Sequence, residues 1–166
     1  IAGLIDKSVL RVAEEARGNG ATTVRYSLHG LLRQFLLEKL EQEGELAAIR
    51  RGHARYFAGV AEAAFPNLFG AETAAWQRLL DQEQQNFQAA LNWTLAEGND
   101  AHLGLQLAGS LSRLWRLNGA WRSGRAWLEQ ALAGAAGTPA ERARALVGLG
   151  DLCLALSDHE IGRVHV

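Results

Sequence analysis

The sequence predicts a mainly α-helical chain with one β-hairpin near its start, and three observations carry that expectation. Apolar residues recur at helical spacing over most of the positions after 30. Two short runs rich in β-branched and aromatic residues flank a Gly-Asn-Gly turn close to the start. Segments in the last third repeat one another at a constant offset.

The hairpin comes first. Residues 9–14 and 23–28 hold the strand formers, with Val9, Val12, Thr22, Thr23, Val24 and Tyr26 in or beside them. Between them, Arg17-Gly18-Asn19-Gly20 supplies residues that tolerate positive φ, as a tight turn requires. Over 31–40 the apolar residues fall at 31, 32, 35, 36 and 40, which is helical spacing, and Gly44 ends that helix. A second helix is expected over 45–64, with Ile49, Tyr56, Phe57, Val60 and Ala64 on one face. Pro66, Asn67 and Gly70 mark a loop. A third helical stretch from about 72 turns Trp76, Leu79, Leu80, Phe87, Leu91 and Leu95 inward, with a break near Asp81, and Gly98-Asn99-Asp100 stops it. Helices over 102–117 and 121–132 are joined by Asn118-Gly119-Ala120. After Gly137-Thr138-Pro139 another helix covers 140–156 and ends in a turn at Ser157-Asp158. Three regions follow: 1–44, 45–100 and 101–166.

Composition narrows the function. Of 166 residues, 48% are hydrophobic, which supports a real core and argues against disorder. Lys plus Arg total 17 against 18 for Asp plus Glu, so the basic excess of a dedicated nucleic-acid binder is missing. A single cysteine, Cys153, makes no internal disulfide and no zinc site, and fits a small core residue in a reducing cytoplasm. No run approaches the ~18 apolar residues of a membrane span. The opening apolar run contains Asp6 and Lys7, unlike a signal peptide. The chain starts without Met inside an apolar segment and stops as a new pattern begins at 161–166, so both ends predict a piece of a longer protein.

Two segments of the last third align at an offset of 38 residues, with Cys153 and His159 in place of aromatics in the second. Leu111-Ser112-x-x-Trp115 with Gly119-x-Trp121-x-x-Gly124 aligns with Leu149-Gly150-x-x-Cys153 and Ser157-x-His159-x-x-Gly162. This resembles a tetratricopeptide pattern, whose period is about 34 residues, with extra length in the 133–139 connection. Small residues at 112, 124, 131 and 150 would let helices approach closely, and Trp115, Trp121 and Trp127 would fill the space between them. In such proteins the first helix of each unit lines a concave groove. Carried onto this chain, that face holds Gln106, Gly109, Arg113 and Arg116, then Arg144, Val147 and Asp151. The resemblance implies a groove for an acidic peptide or a small anionic inducer, gripped bidentately by guanidinium groups. The alternative is a row of solvated arginines.

The front of the chain carries a second likeness. Leu4-Ile5-Asp6-Lys7-Ser8-Val9-Leu10, a hairpin, and Arg25-Tyr26-Ser27-Leu28-His29-Gly30-Leu31-Leu32-Arg33-Gln34-Phe35 resemble the winged-helix subdomain of STAND-class (NB-ARC-like) ATPases. Arg50-Arg51-Gly52-His53-Ala54-Arg55-Tyr56-Phe57, and Trp76-x-x-Leu79 followed by Glu83 and Asn86-Phe87-x-Ala89-Ala90-Leu91-x-Trp93, are similar to bacterial transcriptional regulators of that class. The resemblance implies the end of a winged helix over 1–44, a helical arm over 45–100 and the start of tetratricopeptide-like helix pairs over 101–166. It further implies a nucleotide-binding core upstream in the same chain, using ADP or ATP with Mg²⁺, and signalling in the cytoplasm. In the family, a His at the position of His29 touches the β-phosphate of bound ADP and holds the closed state. The family's neighbouring Asp is Gly30 here, so the latch is weakened or another side chain supplies the contact. An imidazole N–H at a helix start suits a phosphate oxygen, while packing at the strand–helix junction is the bland alternative.

Catalytic signatures are missing from the sequence. No G-x-x-x-x-G-K-[ST] occurs, so this segment is expected not to be an enzyme by itself and to hold no cofactor. The histidines at 29, 53, 102, 159 and 165 form no i, i+4 pair, and His159 and His165 beside Glu160 are a weak metal hint. Direct DNA binding by a winged helix is the third reading. Its wing offers Arg17 with Arg11 and Arg25, against Glu14 and Glu15, few charges for phosphate contacts. The group Arg50, Arg51, His53 and Arg55 reads as a solvated helix face or a contact to a neighbouring domain.

Overall fold

The computed structural model describes residues 10–16, 22–134 and 136–164. The chain is mainly helical with a two-stranded antiparallel hairpin, as expected. It divides into two compact units, 1–49 and 50–166.

In the first unit, β1 (Leu10–Ala16) pairs with β2 (Thr22–Leu28), with Leu10 opposite Leu28, Val12 opposite Tyr26 and Ala16 opposite Thr22. The alternation of strand side chains therefore places Leu10, Val12, Val24, Tyr26 and Leu28 on one face. The Arg17–Gly20 turn lies outside the described residues. Helix α1 (Gly30–Gln42) follows β2 directly, with His29 at its N-cap. It ends at Gly44, whose φ of 73° closes a Schellman motif: Gly44 N–H donates to Glu41 O and Glu45 N–H to Leu40 O. The apolar spacing along α1 does form a helix, yet no α1 residue is buried. Leu31 is 80% exposed and Phe35 53%.

The second unit holds the hydrophobic core. Helix α2 (Leu46–Ala64) buries Ala54, Phe57, Ala58, Ala61 and Ala64. This corrects part of the expected face: Phe57 and Ala64 are buried and Val60 packs on the core as expected, but Ile49 and Tyr56 are exposed, and Ala54, Ala58 and Ala61 at i, i+4 and i+7 join the contact. A 3₁₀ turn (Phe65–Phe69) opened by Pro66 seats Leu68 in the core. The third helical stretch is two helices, α3 (Thr73–Gln82) and α4 (Gln84–Leu91), with the break at Glu83, close to the expected Asp81. Leu80, Phe87 and Leu91 are buried, while Trp76, Leu79 and Leu95 pack partly covered around them.

A π-helical turn (Asn92–Ala96) follows α4 and buries Trp93 and Thr94. Thr94 Oγ1 satisfies itself on Ala90 O at 2.8 Å. Gly98, at φ 71°, reverses the chain, and Asp100 caps helix α5 (Ala101–Leu117) by accepting from the Leu103 N–H. Helix α5 is the central element. Nine of its residues are buried, including Leu105, Leu107, Leu111 and Leu114. Such all-round burial suits a helix enclosed by neighbours. Asn118-Gly119-Ala120, with Gly119 at φ 69°, joins it to helix α6 (Trp121–Leu132). Helix α7 (Pro139–Val164) packs on both α5 and α6.

Two expectations about the repeat change here. The turn at Ser157-Asp158 is absent: α7 runs unbroken to Val164. Ser and Asp cost only a few tenths of a kcal/mol mid-helix and neither breaks it as Gly or Pro would. Gly150 faces open space, and the close approach falls at Gly148, whose missing Cβ makes room for Ser112. Ser112, Gly124 and Ala131 are buried at helix contacts as expected; a Cβ on Gly124 would lie 2.8 Å from Trp115 and Leu152. Trp115, Trp121 and Trp127 are partly buried against the core. No helix among the described residues is long and apolar enough to cross a membrane.

Candidate functional site

Two places bring the candidate side chains onto the structure, one in each unit. In the first, β2 runs into α1 through His29, in extended conformation (φ −61°, ψ 140°). Its carbonyl accepts the Arg33 N–H at 2.9 Å, so the backbone fixes the residue at the helix start. Its side chain is exposed and makes no cap hydrogen bond. An uncommitted ring N–H beside the positive end of a 13-residue helix can donate to an anionic oxygen. That geometry accommodates one phosphate contact from this residue and supplies none of the others a nucleotide needs.

The second place is a face of the helical unit where α5, α7 and the Phe65–Phe69 turn meet. Helical spacing aligns Gln106, Ser110 and Arg113 along α5. Gln106 Nε2 donates to Glu62 Oε2 at 2.6 Å. Arg113 lies over the Phe69 ring, 4.9 Å from its centroid, and its Nε donates to Leu68 O at 3.3 Å. Arg144 lies over Phe65, also at 4.9 Å, donates to Ser110 Oγ at 3.2 Å and stands 3.9 Å from Glu62. The two rings meet edge to face at 5.2 Å. Each guanidinium is thus held over a ring, an arrangement that stabilises the cation. The terminal nitrogens of Arg113 take no partner among the described residues.

Arg116 stands apart from this cluster: its Nη1 reaches Asp151 O at 3.4 Å and it touches neither ring. Of the expected groove residues, Gln106, Arg113 and Arg144 come together, and Val147 is exposed beside them on α7. Gly109 sits where α5 meets α7, with a would-be Cβ 3.6 Å from Ala145 N. Sequence reading missed the other half of the cluster. Glu62, Phe65 and Phe69 lie some 40 residues earlier in the chain, and no local spacing links them to α5. Their signal was the Glu-x-x-Phe-x-x-x-Phe spacing ahead of Gly70, which puts an acid and two rings along one short turn.

A third polar group ties the starts of α5 and α7. Thr138 and Glu141 form a capping box: Glu141 Oε2 accepts from Thr138 N–H at 2.7 Å, and Glu141 N–H donates to Thr138 Oγ1 at 3.3 Å. His102 Nε2 sits 3.0 Å from the same carboxylate. The backbone N–H of Thr138, against some desolvation and with help from the Thr138 hydroxyl and His102, lowers the Glu141 pKa below the ordinary carboxylate value. The Thr-x-x-Glu pattern before an apolar run signalled this box in the sequence.

Two of the remaining candidates, Arg50 and His53, have structural partners. Arg50 pairs with Glu97 at 3.3 Å, and His53 meets Asn86 Oδ1 at 3.3 Å and the Phe57 ring at 4.7 Å. Cys153 borders a cavity of about 360 Å³ that Arg122, Arg125 and Glu129 also line. The side chains of His159 and His165, like those of Arg17 and Arg25, lie outside the described residues.

No family model, curated protein or solved structure matches this chain.

Proposed function

We propose that this chain is a regulatory, protein-interaction segment of a STAND-type signalling ATPase, coupling partner or inducer sensing by tetratricopeptide-like helix pairs to the nucleotide state of a core elsewhere in the longer protein. The hairpin with α1 is the end of its winged helix. The observation that supports this most is His29. It stands at a strand-to-helix junction, exposed, with its ring free to meet a phosphate oxygen, as the family's latch histidine does. The arginine-and-phenylalanine face of α5, α7 and Phe65–Phe69 is the sensing surface, and an acidic peptide or small anionic inducer is its guest. Ligand binding at that face biases a closed form against an open one.

The test uses the longer protein. His29→Ala should lower the ADP that co-purifies with it several-fold, while the fold measured by circular dichroism stays the same. Unchanged ADP occupancy removes the latch role.

A second reading, a tetratricopeptide-like adaptor with no nucleotide link, draws support from the second unit, which carries its own core. The two differ at Arg113. Arg113→Glu should abolish capture of an acidic partner under both, but should shift ADP affinity only if the surface is linked to a switch.

A further inference from the structure

A cleft of about 80 Å³ opens in the helical unit between α3–α4, α5 and α6, away from the arginine face. That volume is well above the ~10–15 Å³ that one water needs. Its walls are mixed: Phe87 and Leu91 from α4, Trp115 from α5 and Trp127 from α6 form an apolar, aromatic side, and Gln84, Gln88, Asn118 and Ser123 a polar one. Protein interiors normally close such gaps, and large indoles are the side chains best suited to close them. Here two tryptophans border an opening instead of filling it. Asp81 stands at its edge and is the one charged side chain among the described residues lining it. Its Oδ1 accepts from Asn118 Nδ2 at 2.6 Å, and Asn118 Oδ1 accepts from Gln77 Nε2 at 2.5 Å, so the carboxylate is held in place with its second oxygen uncommitted.

We propose that this cleft binds the alkylated ammonium group of an organic cation, with the indoles of Trp115 and Trp127 on its methyl groups and Asp81 as its counter-charge. Aromatic rings, indole above all, attract a cation whose charge is spread over methyl groups, and a fixed carboxylate adds to the attraction. An anion is excluded by Asp81, and a neutral apolar group gains nothing from it. The same group occurs on free metabolites and on methylated lysine side chains. The site does not depend on the switch role proposed above.

The experiment follows the indole N–H signals of the whole chain by heteronuclear nuclear magnetic resonance. Choline and Nα-acetyl-trimethyllysine amide are titrated alongside 3,3-dimethylbutan-1-ol, the neutral isostere of choline. The cations should shift the Trp115 and Trp127 signals saturably and the alcohol should not. The stronger of the two cations then identifies a free metabolite or a partner's lysine as the source. Asp81→Asn, which keeps the acceptor for Asn118, should weaken binding about tenfold. Trp127→Phe, which preserves packing, should weaken it less. Equal response to the alcohol, unmoved indole signals, or an affinity indifferent to Asp81→Asn would each overturn the site.

Discussion

The two units of this chain spend their apolar residues differently. The hairpin and α1 carry Val12, Val24, Tyr26, Leu31 and Phe35, all exposed, and α1 buries nothing. The helical unit buries Leu68, Leu80, Leu105, Leu107, Leu111, Leu128 and Leu152 almost completely. Helical periodicity is present in both, so periodicity alone does not say whether a face finds a partner. The difference lies in what packs against it: α5 is enclosed by α6, α7 and the turns before it, whereas among the described residues no α1 side chain is buried. Stability in the second unit therefore comes from tertiary burial.

The largest expected effect exploits this contrast. All five tryptophans (76, 93, 115, 121 and 127) lie in the helical unit, so tryptophan fluorescence during urea unfolding reports on that unit. Leu152→Ala removes a fully buried side chain that packs against the site of Gly124, and should cost about 2–5 kcal/mol. Leu31→Ala, at a position 80% exposed, should stay within about 0.5 kcal/mol by the same probe. Equal losses would mean that the units do not differ in the way their burial indicates.

A smaller effect separates two glycines on one helix. Gly148 lies against Ser112, whose Oγ would be 2.6 Å from an added Cβ, while Gly150 has nothing within 4 Å. Overpacking costs about 1–3 kcal/mol, and replacing a helical glycine with alanine returns roughly 0.5–1 kcal/mol. Gly148→Ala should therefore destabilise, and Gly150→Ala should stabilise slightly. A midpoint that moves the same way for both would place the α5–α7 contact elsewhere.

These glycines show where the sequence was legible. Hairpin, helix order and most boundaries followed from turn residues and spacing, because those signals are local. The α2 face was read in part: Phe57 is buried as expected, but Tyr56 and Ile49 drew attention by size and are exposed, whereas close helix contact selects Ala54, Ala58 and Ala61 for the lack of it. The repeat's offset aligned Gly150 with Ser112, yet in space Ser112 meets Gly148, since helices pack by geometry and not by alignment. The arginine face was half legible: Gln106, Arg113 and Arg144 share helical faces, but Glu62, Phe65 and Phe69 reach them only through the fold. Arg116, placed with them by spacing, reaches the backbone carbonyl of Asp151, another residue of the expected groove face, and not the phenylalanine rings.

The smallest effect concerns the Thr138–Glu141 box, which is partly solvated and so adds modestly to stability. Because the Glu141 pKa is lowered in the folded chain, the folded form binds its proton less tightly than the unfolded form. Its contribution is complete above the unfolded-state pKa and disappears as pH falls through the lower, folded-state value. His102, 3.0 Å away, works in the same direction when protonated, since its charge then faces a carboxylate. Glu141→Gln should accordingly lower the urea midpoint at neutral pH and make progressively less difference as pH falls through the lowered folded-state value, below which both side chains are neutral. His102→Ala should remove only part of that neutral-to-acid difference, because the Thr138 N–H, the larger influence on Glu141, remains. A pH dependence abolished by His102→Ala alone would show that the histidine, and not the cap, anchors α7 to α5.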